Sequence, residues 1–240
     1  ACSGAGRGGL CDHRYRFGLL SGDQLKVIAL ISMTVDHIGY ALVPGCAILR
    51  IIGRIAFVLY AFLLAEGCRH THSMRAYIGR LAMFALISEI PFTLMVANRL
   101  FLWGRQNVFF TLFYAACSIG AARWICSRIG GGKGRVLALF PLLAGMLLAR
   151  AFRSDYSWAG VLTVYIFYYL NGYLLLQLFP VLALRLRQGW LQSCGVAAFV
   201  PIALYNGEKG RAPSWFKWVF YVYYPAHLFV IWLTGVLLSA

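Results

Sequence analysis

Residues 25–44, LKVIALISMTVDHIGYALVP, decide the fold. The run is apolar and about 20 residues long, the length a helix needs to cross a bilayer, yet Asp36 and His37 sit inside it. An Asp at that depth costs about 2.5 kcal/mol or more by insertion scales unless it is paired or faces a polar cavity. These two side chains therefore call for a chemical reason.

The rest of the chain repeats the pattern. Of its 240 residues 61% are hydrophobic and 12% charged, about half the charge of an ordinary soluble domain. The class is all-α, a polytopic membrane helix bundle. Apolar segments near 24–44, 49–67, 74–97, 107–126, 135–152, 157–170, 172–185, 190–206 and 214–238 predict about nine transmembrane spans. The sixth and seventh are short and separated by Asn171 and Gly172. They read as a tight hairpin or a broken, re-entrant pair. No Pro- or Ser-rich linker and no internal repeat divides the chain, so residues 24–240 form one bundle behind a flexible, basic, Gly-rich leader over 1–23.

The formal charge of +15 does not indicate nucleic acid, because the basic residues lie in short connections between apolar runs. With the N-terminus in the cytoplasm, thirteen Lys and Arg fall on that side and seven on the other. That bias predicts a multi-pass cell-membrane protein with a cytoplasmic N-terminus. The seven cysteines show no CxxC pair and read as small core residues, with no metal site.

The charges inside the spans carry the chemistry. Eleven helical steps separate Lys26 from His37, which places them about 20° apart on one face and about 16 Å apart along the axis. A long ligand with an anion at one end and a reactive group at the other, such as the pantetheine arm of coenzyme A, has that shape. Asp36 and His37 are adjacent and cannot face each other, so Asp36 needs a partner on another helix, Arg54 or Arg80. Such a pair could also be a structural lock on helix register. For His37, a carboxylate from Glu66, Glu89 or Asp155 could fix the tautomer. Glu66, Arg69 and His70 meet at the end of the second span, where Arg69, His70 and Arg75 suit a phosphate-bearing cofactor or a plain ion-paired helix end. Near the C-terminus Pro225 frees a backbone carbonyl and His227 can point into the bundle, with Tyr223 and Tyr224 beside it.

Seven strings in order resemble the TraX family of membrane acetyltransferases: LKVIALISMTVDHIGY, IGRIAFVLYAFLLAEGCRHT, YIGRLAMFALISEIPF, NVFFTLFYA, DYSWAGVLTVYIFYYL, YNGEKG and FYVYYPAHL. The family is similar to a broader transmembrane acyltransferase superfamily with acyltransferase type three and lysosomal heparan-sulfate N-acetyltransferase relatives. The resemblance implies acyl transfer from acetyl-CoA to an acceptor at the membrane or its far side, with His37 as the functional histidine. In type-three relatives an arginine precedes that histidine by eleven residues, and Lys26 stands there in this chain, keeping the charge without the bidentate fork. The implied acceptor is a pilin-like N-terminus or a small amine or hydroxyl compound.

The expected mechanism brings CoA phosphates to Lys26, Arg69, His70 and Arg75, with Arg54 and Arg80 as further cofactor contacts. His37 is the general base, and Asp36 or Glu66 supports its imidazole. Arg54 or Asn107 stabilises the tetrahedral oxygen. Glu89, Asp155, Tyr224 and His227 are expected as substrate or support residues. An acetyl-histidine intermediate is a second route. The competing class is a proton-coupled transporter or lipid-binding membrane protein, with Asp36, His37 and Glu89 as a relay.

Overall fold

The computed structural model describes residues 18–102, 104–213 and 215–239, all of whose regular elements are helical. Most of the expected leader, with Arg7, Arg14, Arg16, Cys2 and Cys11, lies outside the described residues. Helix α1 (Gly22–Ala41) begins slightly ahead of the expected boundary because Ser21 and Gln24 form a capping box there. The chain continues through α2 (Ala47–His70), α3 (Met74–Ile87), α4 (Glu89–Ala97), α5 (Val108–Ile129), α6 (Gly131–Leu137) and α7 (Leu139–Ala151). It then forms α8 (Ser157–Tyr169), α9 (Leu174–Arg187), the short α10 (Trp190–Ser193), a 3-10 segment (Cys194–Ala198), α11 (Phe199–Ala203) and α12 (Phe216–Ser239).

The expectation of about nine long spans is corrected. Five segments are long and apolar enough to cross a membrane: Ala47–His70, Met74–Ala97, Val108–Ile129, Gly131–Ala151 and Phe216–Ser239. Helix α1 has the length, but Asp23, Lys26, Asp36 and His37 dilute its apolar character. Helices α8, α9 and the segment Trp190–Ala203 fall short of the roughly 20 residues that a straight span requires. Two of the five are bent pairs. Pro91 and Pro141 sit in the first turns of α4 and α7, where a missing N–H is harmless, and the breaks fall just before, at Ser88 and Ala138.

Helices α8 and α9 form the tight hairpin, turning through Gly172 at a φ of 86°. Leu143, Leu147, Phe179, Val222 and Val230 point outward, as lipid-facing helices require. The buried core runs through Leu25, Ala29, Phe57, Phe62, Ala115, Val164, Phe167 and Leu228.

The bundle has two distinct ends. At the one where α1 starts, Gly22 and Asp23 donate backbone N–H to the carbonyls of Glu208 and Lys209, so the YNGEKG turn caps α1. At the other, the 98–107 and 152–156 connections are joined by Gln106 N–H to the Arg153 carbonyl and by Arg105 to Asp155.

Helices α1 and α2 approach closely because Gly53 faces Asp36 and Gly39 faces Leu49. A Cβ on Gly39 would lie 2.7 Å from that of Leu49, and one on Gly53 would fall on the Asp36 side chain. Replacing Gly53 with Val should therefore lower unfolding stability by about 2 kcal/mol or more through overpacking. Gly79→Ala, with nothing within 4 Å of the added methyl, should be neutral or mildly stabilising in the same detergent unfolding measurement.

Candidate active-site cleft

At the end of the bundle opposite the start of α1, parts of α1, α2, α4, α12 and the start of α5 surround a cleft with the connection ahead of α8. It measures about 630 Å³ out to its open mouth and is lined by Asp36, His37, Arg50, Arg54, Arg105, Asp155, Tyr156 and Tyr224, among others.

His37 is oriented by a second histidine. His227 Nδ1 lies 2.8 Å from the Tyr223 carbonyl and His227 Nε2 lies 2.8 Å from His37 Nδ1. A carbonyl only accepts, so Nδ1 of His227 carries a proton. With both rings neutral, His227 Nε2 accepts from His37 Nδ1–H, and the lone pair of His37 falls on Nε2. Tyr223 steadies the arrangement from the side. It stacks on His227 at 5.0 Å, and its hydroxyl bonds Thr34 Oγ1 at 2.8 Å while Thr34 itself donates to the Leu30 carbonyl. The carboxylate expected to fix the His37 tautomer is thus replaced by a neutral imidazole. Pro225 and His227 both lie buried within α12.

Asp36 turns away from His37 to α2. Arg54 Nη2 donates to both carboxylate oxygens, and Arg50 Nη1 lies 3.0 Å from Oδ2 and donates to the Asp36 carbonyl. Arg54 is the partner expected, whereas Arg80 is not. Asp36 acts on His37 by fixing the helix that bears it, which corrects a direct catalytic contact.

Glu66 is corrected more strongly. It follows Arg54 by twelve residues on α2, about 18 Å along the axis, at the opposite end of the bundle. There it binds Arg69, approaches His70 Nε2 at 3.6 Å and accepts from the Tyr205 hydroxyl at 3.5 Å. The sequence cluster of Glu66, Arg69 and His70 does meet, as an ion-paired helix end. Arg69 also donates to the carbonyls of Phe167 and Tyr168, so its fork is committed to closing the end of α8.

Asn107 caps α5, accepting from Phe109 N–H, and donates through Nδ2 to the Ala85 carbonyl and to Glu89 at 2.6 Å. Both side chains are spent on joining α3, α4 and α5, so neither is an oxyanion donor or a partner of His37. Asp36, His37 and Glu89 each hold different partners and form no relay among the described residues.

Asp155 lines the cleft and pairs with Arg105 at 3.3 Å. It lies in the connection ahead of α8, where desolvation pushes its carboxyl up from the ordinary value against the pull of Arg105 and Arg54. Tyr224 faces His37 edge-on at 6.3 Å, and its oxygen accepts the Val108 N–H, which leaves its own O–H free to donate.

The other cations lie toward the α1-start end. Lys26 Nζ binds Asp23 at 2.9 Å beside the Phe220 ring. Arg75 is exposed, with no ion pair among the described residues. Arg80 lies over Tyr77 at 5.5 Å and bonds the Tyr221 hydroxyl, with its buried Nε unpartnered among the described residues. Arg54, expected with them, belongs instead to the His37 cleft.

Arg50, Arg105 and Tyr156 were missed as site residues. Arg50 had a readable signal, since it precedes Arg54 by one helical turn on the same face. The five cysteines in the described residues are free thiols, of which Cys68 is buried.

The family model described as TraX protein matches residues 21–235. Probable fimbrial assembly protein FimC, serogroup H1, of Dichelobacter nodosus is 28% identical over 239 residues, covering 87% of this chain and 93% of its own. Uncharacterized protein RP591 of Rickettsia prowazekii is 32% identical over 97 residues, 40% of this chain and 36% of its own. No solved structure matches the chain.

Breaking the Asp36 pair should be costly. Asp36→Ala leaves two arginines without their acid and should lower stability by about 3–5 kcal/mol. The double variant Asp36→Ala, Arg54→Met should lose less than the sum of the single changes by about 1 kcal/mol or more, measured as a double-mutant cycle in detergent unfolding.

Proposed function

Because the chain belongs to the TraX family, its match running over residues 21–235, we propose that it is an integral membrane acetyltransferase. It moves an acetyl group from cytoplasmic acetyl-CoA to an amine or hydroxyl at the membrane or its far side. The observation that carries this reading is the hydrogen-bond chain from the Tyr223 carbonyl through His227 to His37, which leaves the His37 Nε2 lone pair at a cleft with uncommitted donors. That is what general-base catalysis requires.

His37 Nε2 takes the proton from the acceptor as its nitrogen or oxygen attacks the thioester carbonyl carbon. The C–S bond then breaks, and His37 returns the proton to the departing sulfur, so the products are the acetylated acceptor and free CoA. His227 steadies the transient imidazolium by accepting from its Nδ1–H. The tetrahedral oxygen is met by Arg54, whose Nη1 is not used in holding Asp36, and by the Tyr224 O–H.

The residues present fit CoA. Lys26 lies on the His37 face of α1 about 16 Å away, near the reach of a pantetheine arm. Arg80, with an unpartnered Nε, and exposed Arg75 complete the phosphate contacts in place of Arg69. The N-terminus is cytoplasmic, and the short α8, α9 and 190–203 segments pack beside the five full-length spans. The relative named as a fimbrial assembly protein supports an acceptor in pilus or fimbrial assembly, such as a subunit N-terminus, or a small compound handled there.

Purified protein with membrane extract should release CoA thiol from acetyl-CoA, and His37→Gln should slow this about 10²–10⁴-fold with unfolding unchanged. Release that survives His37→Gln would defeat the assignment. Replacing His227 with Phe removes the Nδ1 partner and should cost about tenfold or more in kcat with little change in KM for acetyl-CoA. Label from acetyl-CoA retained on wild-type protein without acceptor, and lost in His37→Ala, would indicate an acetyl-histidine route.

A further inference from the structure

The His37 end of the bundle is cationic in an unusual way. Arg50, Arg54 and Arg105 line the cleft, and Arg99, Arg150 and Arg153 are exposed at the same end of the bundle with no ion pair among the described residues. The acids there are Asp36, Asp155 and Glu89, the last bound to Asn107. Asp36 alone faces two arginines, so its charge balances only one of them.

The type of cation matters as much as the number. All four lysines of the chain, Lys26, Lys133, Lys209 and Lys217, lie at or toward the α1-start end, and the basic residues of the His37 end are arginines. Connections on the far side of a membrane are ordinarily poor in both. Arginine's planar fork matches carboxylate and phosphate oxygens, which lysine's point charge does not. Arg50 is placed for this. Its Nη1 holds Asp36, its guanidinium lies over the Tyr40 ring, its remaining donors hold no hydrogen bond among the described residues, and its side chain is 24% exposed in the cleft wall.

We propose that the acceptor carries an anionic oxygen group, phosphate or carboxylate, close to the nucleophile, and that Arg50 binds it with help from Arg105 across the cleft. This rests on the acyltransferase reading above. A bare ammonium would be repelled by the same arginines, so the nucleophile is a hydroxyl or a neutral amine on an acidic molecule. The exposed arginines of this end raise the local concentration of such an acceptor before it enters.

The test uses the full chain in phosphatidylcholine nanodiscs, with glycerol 3-phosphate, glycerate and uncharged glycerol as probes and the thermal unfolding midpoint as readout. The acidic probes should raise the midpoint and glycerol should not. Arg50→Gln, which leaves Arg54 on Asp36, should weaken apparent probe affinity about tenfold or more, and Arg50→Lys should recover only part of it. The response of Arg50→Gln to acetyl-CoA should be unchanged. Lys209→Gln, at the opposite end, should bind the probes as wild type does.

Equal effects of glycerol and the acidic probes would overturn the proposal. So would wild-type affinity in Arg50→Gln, or loss of probe binding in Lys209→Gln. If Arg50→Gln does not fold, Arg105→Gln gives the same comparison. Failure of the acyltransferase reading shows separately, as wild-type protein that never releases CoA thiol with any of the probes.

Discussion

The buried contact between Asp36 on α1 and the two arginines of α2 is the constraint on which the rest depends. A carboxylate in an apolar bundle is tolerated only when its charge is met, and here Arg54 and Arg50 meet it together. The contact needs the helices close, which is why Gly53 lies against Asp36 where any side chain would collide. Once α1 is fixed in rotation, the next residue points about 100° away from α2, and His37 is delivered to α12.

There the chemistry is set by a chain of one-way hydrogen bonds. The Tyr223 carbonyl accepts, His227 passes the direction on, and His37 is left with its basic nitrogen on Nε2. A carboxylate in place of His227 would also orient the ring, but it would add a second buried acid beside Asp36. A neutral imidazole fixes the tautomer without that cost. The carbonyl that starts the chain lies one turn before His227 on the same helix, so α12 supplies both partners of that bond.

Much of this was legible in the sequence, and the residues show why. Charge inside apolar runs marked Asp36, His37, Arg54 and His227, because the cost of burial makes each of them conspicuous. The separation of Asp36 from His37 followed from helical spacing alone. The Glu89–Asn107 contact was not legible because it joins two helices, and the place of Glu66 was not because a single sequence does not tell which end of a span meets which. The span count was overestimated for a related reason. Apolar windows do not distinguish a long lipid-facing helix from a short one such as α8, whose Val161, Val164 and Phe167 are buried in protein.

The central claim is that the acyl carbon of the donor comes to His37 Nε2. The measurement that tests it most directly is an experimental structure of the protein with a thioether analogue of acetyl-CoA. The account predicts the acyl carbon within about 3–3.5 Å of the acceptor position beside His37 Nε2, with the phosphates toward Lys26 and Arg80. An acyl group bound at the Glu66 end, with nothing reaching the His37 cleft, would contradict it.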